Sequence, residues 1–209
     1  MNANQTEIEQ RVRRYWWTDG IAELAGGGML LLIGLYFSGQ ELLPAGSTAR
    51  TLLEASLALL LIGGVLVTRR LVNALKIRLT YPRTGYVDYG EGRKNTGSRR
   101  LLTGGIAAAV AALLVLAGQW VGSFEWITAF TGLVFGLVFM ILRARASGLA
   151  RFYVLGGFCL VLGVGLSLSG LPMGYSLGLL YGLIGLASML SGSIALARYL
   201  RANPVPSEQ

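Results

Sequence analysis

The chain has 209 residues and a formal net charge of +8, and it is 54% hydrophobic but only 13% charged, with a mean hydropathy of +0.59. An ordinary soluble domain is about 25% charged, so this composition predicts an integral membrane protein. The chain has no histidine and a single cysteine, Cys159, which excludes an intrachain disulfide and any Ser-His catalytic arrangement. We therefore expect no enzyme, no metal site and no cofactor.

The N-terminal segment, residues 1–19, is polar and carries aromatic and basic side chains at helical spacing. Val12, Tyr15 and Trp16 fall at helical spacing, with Arg11 and Arg14 among them. This pattern predicts a cytoplasmic amphipathic helix that lies on the membrane surface. The segment has no apolar core followed by a small-residue cleavage site, so we expect no cleaved signal peptide.

Six apolar runs follow, at about 21–38, 51–68, 101–121, 126–142, 152–169 and 175–197. Each is about 17–23 residues long, which suits a hydrocarbon core roughly 30 Å thick at a rise of 1.5 Å per residue. The predicted fold is all-α, with one integral membrane domain (20–202) of six transmembrane helices arranged as three hairpins. The tail, 203–209, contains two prolines and is predicted to be disordered.

The stretch 69–100 between the second and third runs holds nine of the eighteen Lys and Arg residues against only two carboxylates. A basic loop of this kind stays in the cytoplasm and sets the orientation of the neighbouring helices. With six spans, seventeen of the eighteen Lys and Arg residues lie on one side. This predicts a multi-pass protein of the bacterial inner membrane with both termini in the cytoplasm.

Parts of this cytoplasmic loop have a pattern of their own. Leu71 to Arg78 keeps helical periodicity, so the second helix is expected to continue past the membrane. Pro82 is predicted to end it, because the residue before a proline disfavours the helical conformation. Two short extended arms are expected to follow around a turn at Gly85.

Glycines at a spacing of four mark the expected helix contacts. Gly174, Gly178 and Gly182 form a smooth strip along one face of the last helix, and Gly132 and Gly136 form a shorter strip on the fourth. Membrane helices associate through close backbone contact, which glycine permits. The two strips are predicted to pack against each other.

Two glutamates, Glu23 and Glu54, lie about one turn inside predicted spans and form a candidate intramembrane acidic site. A structural role is the alternative. Glu54 has capping-box spacing from Thr51, and both Asp19 and Glu23 lie where the N-terminal dipole of a helix favours negative charge. The sequence leaves both interpretations open.

Two classes of function fit these features. The first is a non-enzymatic scaffold, sensor or accessory protein, and the alternative is a small transporter or channel, as a substrate-capture or oligomeric transport subunit, that uses Glu23 and Glu54. The expected partners are the bilayer, anionic lipid at the cytoplasmic face, and a protein partner or second copy, but not nucleic acid. The candidate contacts with anionic lipid or a partner are Arg69, Arg70, Arg78, Arg83, Arg93 and Lys94.

Overall fold

The computed structural model describes residues 17–84 and 126–204. Within these ranges the chain is helical and forms no strand. The principal helices are α1 (Ile21–Leu42), α2 (Thr48–Leu75), α3 (Trp126–Leu137), α4 (Arg151–Ser167) and α5 (Met173–Ala202). The N-terminal amphipathic segment, the third predicted span and the loop residues Arg93 and Lys94 lie outside the described residues.

Two of the helices continue through π-helical turns. α2 runs on through Lys76–Thr80 into a short α-helical segment, Tyr81–Thr84, and α3 runs on through Val138–Ala144 into Arg145–Ser147. The prediction that Pro82 ends the second helix is wrong, because the helix continues through Thr84. Pro82 is the second residue of a new α-helical segment, where its missing N–H breaks no hydrogen bond of that segment.

Local chemistry explains where these helices begin and end. The Ser47 hydroxyl oxygen caps α2 by accepting from the backbone N–H of Arg50 at 3.2 Å, so the helix begins before the capping box expected at Thr51. The helical continuation of α3 ends at Gly148, which has a φ of 67° and whose backbone N–H donates to the Ala144 carbonyl at 2.7 Å. A left-handed residue at this position is a common helix stop, and glycine adopts it without steric cost.

Four helical stretches are long and apolar enough to cross a membrane: Ile21–Leu42, Thr48–Thr80, Trp126–Ala144 and Met173–Ala202. α4 is apolar but shorter, at 17 residues. The part of the chain that the structure describes is thus consistent with an α-helical membrane protein. The full set of six spans and their orientation stay predictions.

α1 and α5 pack antiparallel, and their backbones come close along the whole length of α1. The contact is marked by three pairs of glycines, Gly20 with Gly192, Gly27 with Gly185 and Gly34 with Gly178. A Cβ atom added to Gly27 would lie 2.7 Å from the carbonyl oxygen of Gly185. Any larger residue would therefore force the two backbones apart, which explains why glycine occupies these positions.

The two predicted glycine strips lie at helix contacts, but they do not pack against each other. Gly132 meets Gly163 of α4, where an added Cβ would lie 2.6 Å from the partner Cα atom, and Gly136 faces the α4 segment around Leu160. The α5 strip faces α1 instead. The predicted pairing is wrong because spacing along a helix shows which face is smooth but not which helix lies against it.

Aromatic and aliphatic side chains join the α1–α5 pair to the α3–α4 pair. The Tyr181 ring of α5 stacks on Phe37 of α1 at a centroid distance of 5.6 Å and meets Phe135 of α3 edge to face at the same distance. Next to it, Leu180 and Ile184 of α5 pack in one core with residues of α3 and α4. α1, α3, α4 and α5 therefore share an interior.

Candidate functional site

The candidate site lies at the end of the bundle where α1 and α4 begin and where α2, α3 and α5 end, here called the basic end. Asp19, just before α1, and Glu23, in its first turn, are each 1% exposed. They are four residues apart, and buried charges of this kind are costly unless cations lie close to them. The other elements at this end supply those cations.

Asp19 is held by α2. Its Oδ2 lies 3.2 Å from Nζ of Lys76 and accepts a hydrogen bond from the Thr80 hydroxyl at 3.3 Å. Its Oδ1 accepts from the backbone N–H of Ile21 at 3.2 Å. Lys76 and Thr80 are the first and last residues of one π-helical turn, which places both side chains on the same carboxylate. Single π-helical turns often occur at functional sites.

Gly20 makes this approach possible. It precedes α1 with a φ of 72°, in the left-handed region that favours glycine. A Cβ atom here would meet the Gly192 carbonyl oxygen of α5. Glycine therefore allows both the turn that points Asp19 at Ile21 N–H and the close contact with α5.

Glu23 is held by α4 and α5. Its Oε1 lies 2.5 Å from Nη2 of Arg151, and its Oε2 accepts a hydrogen bond from the Ser191 hydroxyl at 2.9 Å. The same Nη2 of Arg151 donates to the backbone carbonyl of Trp17. One arginine thus connects the start of α4 with a carboxylate and a carbonyl at the start of α1.

A second arginine lies beside this pair. The guanidinium carbon of Arg143 lies 4.7 Å from the ring centroid of Trp17 and 5.1 Å from that of Phe139. The Arg151 guanidinium carbon lies 5.3 Å from the ring of Phe152, which contacts Trp17 edge to face. Guanidinium groups are attracted to aromatic faces, so a small aromatic cluster holds both arginines.

Some polar atoms near this cluster have no hydrogen-bond partner. In the part of the chain that the structure describes, Arg151 Nε and Ser188 Oγ are buried without a hydrogen-bond partner, and Glu23 Oε1 contacts Arg151 without hydrogen-bond geometry. Within the described ranges, the Arg143 guanidinium also has no hydrogen-bond acceptor, and it contacts the rings of Trp17 and Phe139. Most buried polar groups are paired, so the three buried atoms need an explanation.

The second glutamate of the predicted acidic site lies elsewhere. The Glu54 side chain is 51% exposed and pairs with Arg50 at 3.0 Å, one turn away on the surface of α2. Its backbone carbonyl accepts from the Tyr36 hydroxyl at 3.5 Å. Tyr36 is 13 residues after Glu23, about 20 Å along α1. The structure therefore does not bring Glu23 and Glu54 into one site.

The predicted lipid or partner contacts divide into two kinds. Arg69, Arg70 and Arg78 are exposed along the end of α2. Arg83 instead donates to the backbone carbonyls of Leu200 and Asn203, at 3.2 and 2.8 Å, and so caps the end of α5. Cations near the last carbonyls of a helix are stabilising, which gives Arg83 a role within the fold.

The sequence did not indicate Lys76, Arg143, Arg151 or Ser191 as site residues. Lys76 was one charge in a basic loop, yet it is 2% exposed. A signal was present: two carboxylates at the start of α1 need counter-ions, and the predicted topology puts Lys76, Arg143 and Arg151 at the same end of the helices. Grouping the charged residues by the end of the helices at which they lie, rather than by the loop that contains them, would have identified these three cations.

The opposite end of the bundle contains a cleft of about 310 Å³ between the end of α4 and the starts of α3 and α5. Its polar lining comes from Thr128, Ser167 and Ser176, and the described residues that line it carry no charge. Ser176 is 15 residues from Ser191, about 22 Å along α5. This cleft and the ion pairs at the basic end are therefore separate features.

The described part of the chain thus defines an all-helical protein with four helices capable of spanning a membrane and two buried carboxylate–cation pairs at one end. No protein-family model, curated protein or solved structure matches this chain.

Proposed function

We propose that this chain is a multi-pass protein of the bacterial inner membrane, with six helices and with the basic end in the cytoplasm. The exposed surface supports a lipid environment, because α2 carries large apolar side chains such as Leu59 and Ile62 at 74% and 65% exposure. The exposed arginines at the basic end support the orientation, since Lys and Arg accumulate on the cytoplasmic side.

The orientation can be tested with two cysteine variants. Ala45 and Ala150 are exposed and lie at opposite ends of the bundle, whereas the native Cys159 is fully buried. Ala45→Cys should react with an impermeant thiol reagent added to intact cells, and Ala150→Cys should react only after permeabilisation. The reverse labelling would contradict the proposed orientation, and unmodified protein provides the background.

Within that membrane we propose a non-enzymatic scaffold or accessory role. The observation that carries it is the direct backbone contact of α1 with α5, which leaves no path between these two helices. Both carboxylates at the basic end are neutralised by ion pairs within the chain. The exposed Arg69, Arg70 and Arg78 then provide a positive surface for anionic lipid or an acidic protein partner.

Reconstitution tests this proposal. Purified protein in liposomes should give no flux of protons, Na⁺ or K⁺ above that of empty liposomes. Replacing Arg69, Arg70 and Arg78 together with Gln should weaken salt-sensitive binding of anionic lipid and leave thermal stability unchanged. Arg83→Gln is the matched control: it should lower stability, because two carbonyls at the end of α5 lose their donor.

A small transporter is the second candidate, and the burial of Glu23 favours it. Ionisable side chains within an apolar helix frequently mark an ion pathway. If the protein is a transporter, liposomes that contain it would show ion flux. Glu23→Gln would abolish this flux, whereas Glu54→Gln, on the exposed surface of α2, would not. Flux that both variants retain would exclude either glutamate as the coupling residue.

A further inference from the structure

Arg143 and Arg151 converge on Trp17 from two different helices. Arg143 lies over the indole ring at 4.7 Å, and Arg151 donates to the backbone carbonyl of the same residue. Arg143 comes from the π-helical turn that continues α3, and Arg151 is the first residue of α4. Both guanidinium groups therefore contact Trp17 at the basic end.

Among the described residues, this place holds more positive than negative charge. Glu23 provides one negative charge for two arginines, and it pairs directly with Arg151. Within the described part of the chain, the Arg143 guanidinium donates no hydrogen bond, whereas Arg151 is already bound to Glu23 and to the Trp17 carbonyl. An arginine that is partly buried and lacks acceptors has donors ready for an anion, because guanidinium presents five N–H groups.

We propose that Arg143 and Arg151 bind the phosphate group of an anionic phospholipid against Trp17. The arginine fork matches phosphate oxygens in a way that a lysine ammonium does not. Basic pockets between membrane helices on the cytoplasmic side are places where phospholipid head groups bind, and tryptophan favours this depth. The inference rests on the proposed membrane location of the basic end, but not on the scaffold role.

The neighbouring side chains favour a lipid over free phosphate. Leu142, next to Arg143, is 64% exposed, and Val154, one turn after Arg151, is 73% exposed. A soluble anion would gain nothing from these apolar surfaces, whereas acyl chains would cover them. The site therefore combines donors for a phosphate with exposed hydrocarbon on both helices that carry the arginines.

Native mass spectrometry of the detergent-purified full chain, titrated with phosphatidylglycerol, tests the proposal. We expect one lipid to bind more tightly than the rest. R143Q should weaken that binding by about tenfold or more, which is the smallest effect expected from removing a hydrogen bond between charged groups. R145Q is the matched control, because Arg145 has the same charge two residues away but is exposed, and it should change the affinity less than about twofold.

R143K separates fork recognition from simple attraction and serves also if R143Q fails to fold. It keeps the charge, so phosphatidylglycerol binding as tight as in the parent would overturn the proposal. Equal losses in R143Q and R145Q would overturn it as well. Phosphatidylcholine should bind more weakly than phosphatidylglycerol, and millimolar inorganic phosphate should not displace the lipid. Displacement would assign the site to a free anion.

These outcomes are distinguishable from failure of the proposed function. Ion flux in liposomes would contradict the scaffold role, but R143Q would still be expected to weaken lipid binding. If only the combined replacement of Arg69, Arg70 and Arg78 weakens lipid binding, the positive surface of α2 stands and the site at Trp17 does not.

Discussion

α2 and α5 both lie against α1, but they are attached to it in opposite ways. α5 meets α1 backbone to backbone at three glycine pairs, and eleven of its residues are buried. α2 has no buried residue between Thr48 and Leu75, and its buried side chains, Lys76 and Thr80, lie in the π-helical turn that follows. α5 is thus held along its length by packing, and α2 mainly at its end by a charged pair.

The difference follows from the atoms that the glycines of each helix face. On α2, Gly64 lies against the flexible Met29 side chain of α1, whereas a Cβ on Gly63 would meet nothing within 4 Å. On α5, Gly185 and Gly192 lie directly against α1 backbone atoms. Apolar composition alone gives little attraction between helices in lipid, so close contact depends on small residues at the interface.

Breaking the charged attachment of α2 should have the largest effect. Lys76→Met leaves the Asp19 carboxylate buried with only the Thr80 hydroxyl and one backbone N–H. Removing one partner of a buried ion pair costs about 3–5 kcal/mol, because the remaining charge stays desolvated. We expect a large loss of thermal stability in detergent.

A second variant provides the control for this prediction. Combining Lys76→Met with Asp19→Asn removes both charges and should recover a large part of the lost stability. If Lys76→Met alone unfolds no more easily than the parent, the pair does not hold α2, and the description of its attachment is wrong.

The glycine contact of α5 should be the next most sensitive. A Cβ on Gly185 would lie 2.6 Å from the Leu31 backbone nitrogen and 2.7 Å from the Gly27 carbonyl oxygen. Gly185→Leu should therefore cost about 1–3 kcal/mol as overpacking, measured by thermal unfolding in detergent. Gly63→Leu on α2 is the matched control and should be almost neutral. Equal effects of the two variants would remove the contrast between the helices.

The helices themselves were largely predictable from the sequence, but which helices pack against each other was not. Apolar runs identify α1, α2, α3, α4 and α5, and the spacing of Gly174 and Gly178 correctly marks a smooth helix face. The identity of the facing helix depends on contacts between residues far apart in the chain. Ser191 and Glu23, which share a hydrogen bond, are 168 residues apart.

Only part of the candidate site was predictable from the sequence, for a similar reason. Glu23 was identified because a carboxylate within an apolar run is unusual and easy to recognise in a sequence. Lys76 and Arg143 were not, because each lies beside other basic residues and looks like one more positive charge near the membrane surface. The π-helical turns that direct them inward leave no clear sequence pattern. Their burial depends on the tertiary arrangement around α1.

The hydrogen bond between Ser191 and Glu23 should contribute a smaller amount at the same interface. Ser191→Ala removes a 2.9 Å donor from a buried carboxylate that keeps its Arg151 partner. Such a bond to a charged group is worth about 1.5–3 kcal/mol in general, and we expect the lower part of that range because Arg151 remains. Ser193→Ala, at an exposed position on the same turn of α5, should have no measurable effect on the melting temperature. Identical melting temperatures for the two variants would show that Glu23 does not depend on Ser191.

The smallest effect is expected at Glu54, where the surface of α2 also carries an ion pair. Glu54→Gln removes the 3.0 Å contact with Arg50, but the two side chains are 51% and 29% exposed. Exposed pairs four residues apart in a helix are worth about 0.3–0.5 kcal/mol, because solvent screens them and ordering two long side chains costs entropy. Thermal unfolding should therefore hardly change, and the remaining effect should disappear at high salt. A loss as large as that of Lys76→Met would mean that Glu54 is covered in the assembled protein, and that this surface of α2 is held as firmly as its end at Asp19.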